Sequence, residues 1–383
     1  MTSHRRTILL AFGGAALALA GAGGVFVATR RPLAALKPWD DIQATTRDMR
    51  LDAFRHAILA PNPHNRQPWQ IQLVGTDQAI ITCDLDKRLP ETDPFDRQIT
   101  IGFGAFLELA RIAAAERGLR LDTTLFPRGE PQPRLTADPI AHLRFVADAT
   151  VQKDPLYAAI PIRRTVKVPF DVSRLPPQSS IQSLASSAVV GTTTRIDTDP
   201  SVVADLRDLT WRAWVIEAET GRTFKESIDL MRIGRSEIEA NPDGVALGGA
   251  VIEALAMAGQ ITRAAIADPK SGAFKAGLDR YRPIMAGTPA YLTVVTPGNS
   301  RAEQIAAGRS YVRANLMAAA NGLSLHPVSQ ALQEYPEMAT EYMDVHRRLK
   351  VVTPNRLQML ARLGFGPAVD VSPRWPLEAK LKT

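Results

Sequence analysis

The chain has 383 residues, 45% hydrophobic and 22% charged, with a formal net charge of +7 and one cysteine. That composition describes a globular protein with the core of one large or two ordinary domains, and it excludes a disordered chain. The basic residues are scattered, with no Lys/Arg run interleaved with aromatics, which argues against nucleic acid as a partner. With Cys83 alone there can be no intrachain disulfide, and the six histidines show neither H-E-x-x-H nor C-x-x-C spacing, which argues against a zinc site.

Residues 1–31 read as a leader. His4-Arg5-Arg6-Thr7-Ile8-Leu9-Leu10 opens an uncharged, Ala/Gly-rich run to Ala28, and a charged start before a weakly apolar stretch is the pattern of a secretory signal. The paired arginine looks like a twin-arginine signal, which addresses a protein to the machinery that exports folded, cofactor-loaded chains. Ala18-Leu19-Ala20 and Ala20-Gly21-Ala22 are candidate cleavage sites. Ile8–Ala28 is also long enough to span a bilayer, so a retained leader would attach the protein to a membrane. The expected location is periplasmic, or membrane-associated on the outer side. Without residues 1–28 the balance is 44 basic against 39 acidic residues, or +5.

Along the mature chain, residues 32–45 read as a linker with Pro32 and Pro38. A helix to about Leu59 leads to the loop Pro61-Asn62-Pro63-His64-Asn65-Arg66-Gln67-Pro68-Trp69, whose prolines and asparagines predict ordered, non-helical backbone. A hairpin follows (Trp69–Val74 and Ala79–Leu85), then a turn at Asp93-Pro94 capping a long helix from Arg97 to Arg117. Strands at Leu119–Phe126 and Ala141–Ala147 close a first half, 32–150. The second half, 151–383, carries Ile162-Arg163-Arg164-Thr165-Val166-Lys167. It continues with a helix at Ser179–Ser187, a strand at Thr193–Asp197 and helical sequence over about Ser201–Ala240. Gly248–Asp268 is apolar on most sides and predicts a buried or interface helix. A strand (Ala290–Thr296), a long helix (Arg301–Ala320) and a last strand (Leu357–Leu363) end the series.

One repeat stands out. Ala114-Ala115-x-x-Gly118-Leu119-x-Leu121 recurs as Ala318-Ala319-x-x-Gly322-Leu323-x-Leu325, each closing a long helix at a glycine and opening an apolar strand. It suggests two related halves joined near residue 150.

The Pro61–Trp69 loop and the Arg163–Lys167 run resemble two flavin-contact segments of the nitroreductase (FMN-dependent oxidoreductase) superfamily. The likeness is to its Acg-type branch of fused, double-length proteins. Pro63-His64-Asn65, Asp93-Pro94 with Arg97, and the closing Gly364-Phe365-Gly366-Pro367 with Ser372-Pro373-Arg374-Trp375 resemble that branch too. The resemblance implies an α+β nitroreductase-like fold of two fused halves, each a mostly antiparallel sheet with long helices, like a nitroreductase dimer in one chain. A monomer with one FMN between the halves is the expected outcome.

The resemblance implies that Arg163 and Thr165 go to the FMN phosphate or ribityl chain, with Arg164 beside them and Lys167 nearer the ring. Arg374 would complete the phosphate site. A phosphate suits guanidinium forks, which match its geometry and charge. Asn62, His64, Asn65 and Gln67 would offer amide or imidazole groups to the ring's polar edge, whereas Trp69 belongs to the core. No paired-carboxylate, nucleophile-elbow or phosphate-loop motif is present, and no catalytic acid or base is named. The expected function is hydride or electron transfer through bound FMN between an unknown small-molecule donor and acceptor. The alternative is an FMN-binding or flavin-sequestering protein whose ring is covered by a lid over about Gly221–Arg282, with Met231, Met257 and Phe274 as candidate covers.

Overall fold

The computed structural model describes residues 29–44 and 46–382, so the leader reading of residues 1–28 lies outside the described residues. The first half holds α1 (Leu33–Leu36), α2 (Met49–Ala57), β1 (Trp69–Val74), β2 (Gln78–Cys83), α3 (Arg97–Glu116), β3 (Leu119–Leu125) and β4 (Ala141–Ala147). The second opens with α4 (Gln178–Ser186), β5 (Thr193–Asp197) and α5 (Pro200–Glu219). A helical insertion follows: α6 (Gly221–Asp229), β6 (Met231–Ile233), α7 (Gly234–Ala240), β7 (Val245–Leu247), α8 (Ala250–Met257), α9 (Arg263–Ala267) and α10 (Gly272–Ala286). The half then closes with β8 (Ala290–Thr296), α11 (Arg301–Ala320), β9 (Ser324–Pro327), α12 (Ala339–Arg348), β10 (Arg356–Gly364) and β11 (Leu381–Lys382).

The α+β class is as expected, and the two halves share one topology. One sheet runs β1-β2-β4-β3 and the other β5-β8-β10-β9, every neighbouring pair antiparallel, with the long helix falling between the second and third strands each time. β11 adds to the free edge of β1 in parallel, so the C-terminal tail finishes the first half's sheet.

The long helices α3 and α11 cross back to back. Gly104 and Gly308 make this possible: a Cβ on Gly104 would stand 2.1 Å from the Ile305 carbonyl oxygen, and one on Gly308 1.9 Å from that of Ile101. The exchange is reciprocal. Ile305, Val312 and Leu316 of α11 join the first half's core, while Ile101 of α3 joins the second's. The helix starts reciprocate too. Arg97 donates to the Gln358 and Leu332 carbonyls at 2.9 and 2.7 Å, and Arg301 to those of Phe95, Pro131 and Pro133 at 2.8, 3.0 and 2.8 Å. Asp93 caps α3 as expected, accepting from the Gln98 and Ile99 amides.

Three expectations are corrected. The segment expected as a linker over 32–45 is, across its described residues 32–44, a helical strap, because Trp39 and Ile42 have a core to enter. The helix expected over Ser201–Ala240 is broken at Thr220 and again by β6, which pairs in parallel with β7. The single buried or interface helix expected over Gly248–Asp268 is instead two short helices, the first facing outward, with Val251 and Met257 72% and 76% exposed.

Where α5 meets α6, Glu217 is buried and accepts from Gln333 Nε2 at 2.8 Å; burial pushes its carboxyl up to about 7. An acid whose folded pKa exceeds its unfolded one favours the fold below about 4.5, and that contribution is lost as the pH rises through 7. Glu217→Gln keeps an acceptor for Gln333. It is expected to raise stability at pH 8 by up to about 3 kcal/mol and at pH 4 by almost nothing, read by urea unfolding at the two pH values.

Candidate functional site: a buried arginine pair beside a strained loop

The loop between α2 and β1 holds three non-glycine residues in the left-handed region: His64 (φ 46°), Asn65 (φ 52°) and Gln67 (φ 50°). Each such residue costs about 1 kcal/mol or more and persists where its surroundings over-determine it. Asn62 does part of this, its Oδ1 accepting from the Gln67 amide at 2.7 Å and its Nδ2 donating to the Ala60 carbonyl. Gln67 does the rest. It is fully buried; its Nε2 donates to the Pro242 carbonyl at 2.7 Å, its Oε1 accepts from the Trp375 amide at 2.9 Å, and its own carbonyl accepts from Lys380 Nζ. The polar groups of Asn62 and Gln67, expected at a ligand's polar edge, therefore find partners within the chain. They shape the loop.

What this loop and the preceding helix end present is a cluster of arginines. Arg163 is buried, with Nη2 on the Leu59 carbonyl at 2.9 Å and Nη1 on Asn315 Oδ1 of α11 at 3.3 Å. Arg374 comes from the tail to the same carbonyl at 3.2 Å. It also donates to Ala60 (3.3 Å), Pro373 (2.9 Å), Ser372 Oγ (2.8 Å) and Asn65 Oδ1 (2.5 Å). Neither meets a carboxylate among the described residues. Burial pulls Arg163 down to about 10, and burial with Arg163 as neighbour pulls Arg374 down to about 9.

Arg164 is half-buried and turns back to the Pro161 and Arg163 carbonyls at 2.7 and 2.8 Å. All three guanidiniums lie over the ring of Trp39, at 5.8 Å (Arg163), 5.0 Å (Arg164) and 5.6 Å (Arg374), within cation–π range. Three polar atoms nearby are buried without a partner: Arg374 Nε, Tyr311 Oη and His64 Nδ1. Buried cations lacking an acid, with orphaned donors beside them, fit an anionic group with further oxygens to offer.

A second set of groups extends from this cluster. Thr165 is half-buried and bridges in parallel to Leu325, which carries Lys167 out to solvent. Lys167 acts electrostatically on His64 and on His326. Burial, with Lys167 and Arg66 as neighbouring cations, holds His64 neutral, its pKa lowered to about 4. His326 is also kept neutral, by burial and by Arg362, whose Nη1 donates to its Nδ1 at 3.0 Å, so the proton sits on Nε2. Asn65 is the loop residue that joins the two sets, bonded to Arg374 on one side and, through its carbonyl, to the Gly244 amide of the insertion at 3.3 Å.

The insertion is fastened to this loop. The Asp243 carboxylate is fully buried between Arg66 (3.3 Å), Arg232 (2.8 Å) and Lys87. Burial works against its charge, but those cations outweigh it and hold the carboxyl below its usual range. Of the residues expected to cover a ligand, Met257 faces solvent and Phe274 packs edge-on against Phe224, with ring centroids 5.3 Å apart, in the insertion's own core. Among the expected site residues, Arg163, Arg164, Arg374 and Asn65 come together, and His64 and Lys167 form the neighbouring set. Trp39, Tyr311, Asn315 and His326 were not singled out from the sequence. Gly308, Tyr311 and Asn315 share one inward face of α11 at helical spacing, a signal that was present, whereas Trp39 in a proline-bounded stretch gave none.

The sequence is similar to a Mycobacterium tuberculosis protein provisionally named NAD(P)H nitroreductase acg, 30% identical over 167 residues that make up 43% of this chain and 46% of that protein. A second provisionally named NAD(P)H nitroreductase of that organism is 34% identical over 110 residues, 28% of this chain and 30% of the relative. These matches span less than half the length of the relatives, and no family model matches. Among solved structures, the FMN-dependent nitroreductase NfnB of Mycobacterium smegmatis in complex with NADPH aligns with a TM-score of 0.35 at 17% identity, over 58% of this chain and 94% of that one. An FMN-bound nitroreductase of Desulfitobacterium hafniense aligns at 0.35 and 10% identity, over 61% and 99%. The likeness in sequence is thus to proteins provisionally named nitroreductases.

Proposed function

We propose that this chain is an exported, FMN-binding oxidoreductase of nitroreductase type, in which two nitroreductase-like halves fused in one chain share one flavin site. The observation that carries the reading is the pair Arg163 and Arg374: two buried guanidiniums with no acid partner among the described residues, meeting at one carbonyl beside orphaned donors. A phosphate monoester dianion supplies the missing counter-charge, and bidentate arginine contacts are the strong form of that interaction. In this reading Arg163 and Arg374 hold the phosphate, Arg164 and Thr165 flank it, and Asn65 orients Arg374. His64 and Lys167 face the ring's polar edge. Bound FMN supplies hydride or electron transfer. Lys167 favours negative charge on the ring electrostatically, while neutral His64 offers an N–H or a lone pair. The leader sends the protein to the far side of the membrane, and the fused chain works as a monomer.

A second reading, FMN sequestration, draws on the Asp243 fastening and on the Trp39 strap, which together close the loop from two sides. One titration separates the outcomes. FMN added to the purified protein is expected to bind with a shifted flavin spectrum, and anaerobic NADPH is expected to bleach it, with recovery in air or with a nitroaromatic. A bound flavin that only dithionite reduces favours sequestration or another donor. Protein that takes up no FMN overturns both readings.

A further inference from the structure

α8 is built inside out for a water-facing helix. Its sequence, Ala-Val-Ile-Glu-Ala-Leu-Ala-Met, carries one charge, Glu253, and that side chain is turned inward and buried. There it accepts from the Arg235 amide at 2.7 Å and pairs with Arg30 at 3.1 Å. The apolar residues point out: Val251 and Met257 are 72% and 76% exposed, and Ala254, Ala258 and Gly259 are exposed beside them. A surface helix of a water-soluble body shows the opposite arrangement, polar side out. The place of α8 supplies the occupant. The Glu253 partner, Arg30, stands two residues past the uncharged apolar run Ile8–Ala28, and the carbonyl of the intervening Thr29 is bonded to Arg235 at 2.9 Å, beside the same helix. The apolar leader therefore joins the body next to the outward apolar face of α8.

We propose that the outer face of α8 rests in the lipid bilayer surface beside the leader, which anchors the full chain there. This inference rests on the export part of the functional reading and not on flavin binding, which the colour of the same sample reports separately. About 20 apolar residues reach across a hydrocarbon core, and a short apolar helix adjoining them lies in the interfacial plane.

The test uses the full chain with its leader. The native Cys83 is buried and burial pushes its thiol up, so a fluorophore sensitive to polarity goes onto an introduced Met257→Cys. With vesicles of phosphatidylethanolamine and phosphatidylglycerol, the protein is expected to float with the lipid. The probe should shift to the blue and be quenched by lipids carrying a nitroxide on the acyl chain. Adding Val251→Asp should cut that quenching about tenfold while the protein still floats, because a charge on this face opposes its burial. A probe that stays water-like on floating protein overturns the inference, as does protein that does not float. A probe already blue before lipid is added also overturns it, since the leader or a second copy then covers α8.

Discussion

Replacing Arg374 or Arg163 by alanine is expected to weaken FMN binding by roughly 10²–10³-fold, the loss of a bidentate charge-assisted contact of about 3–4 kcal/mol. Each supplies a planar fork at a buried position, so Arg374→Lys, with a point charge and no fork, should recover little of the loss. Arg164→Ala should cost tenfold or less, because that guanidinium is half-buried and turned to its own backbone carbonyls. Titration followed by quenching of flavin fluorescence reads all four variants. Equal affinity in Arg374→Ala and the parent chain would remove the phosphate role from this cluster.

The same residue sets a pH dependence. Burial lowers Arg374 to about 9, below its unfolded value, so near neutral pH the folded protein carries a cation that its surroundings disfavour. A base shifted this way binds fewer protons folded than unfolded between 9 and 12.5, so its unfavourable contribution is relieved as the pH rises through 9. A bound dianion removes the same penalty at neutral pH. FMN affinity is therefore expected to be flat from pH 7 to 9 and to fall above 9 in the parent chain, and this fall should be shallower in Arg374→Ala.

The long helices, the strand edges and the repeat could be read from sequence because their signals are local. Asp93 caps α3, Gly118 and Gly322 end α3 and α11, and β3 alternates. Arg163 and Arg374 were found through motif likeness, but what makes them a site is that Leu59 receives both, a contact no spacing encodes. Gln67 shows the converse. An amide at the exit of an Asn/Pro loop looks free to bind, and its partners (Pro242, Trp375 and Lys380) lie in distant parts of the chain. For α8 the sequence left core and interface both open, because an Ala-rich apolar stretch reports that it avoids water somewhere, without saying what it meets instead. The strap at Trp39 was read as linker because prolines mark chain punctuation whether or not the turns between them are packed.

Gly308→Ala is expected to cost at least about 3 kcal/mol, although alanine favours a helix over glycine by about 1 kcal/mol. The new Cβ would lie 1.9 Å from the Ile101 carbonyl oxygen and 2.9 Å from the Gly104 Cα, both backbone atoms, so no rotamer change relieves it. α3 and α11 must separate instead, and the exchanged core residues Ile101, Ile305, Val312 and Leu316 lose contact together. Gly104→Ala meets the Ile305 carbonyl at 2.1 Å and should behave alike. The double variant then carries the argument: helices already parted by one methyl make room for the second, so the combined loss should fall well short of the sum. Urea midpoints of the two single variants and the double one measure that coupling, and simple additivity would refute the shared crossing. Because Asn315 rides on α11 while Leu59 and Asn65 belong to the first half, the same separation should loosen the arginine cluster. FMN affinity in the folded fraction should then drop along with stability, although neither glycine touches the site.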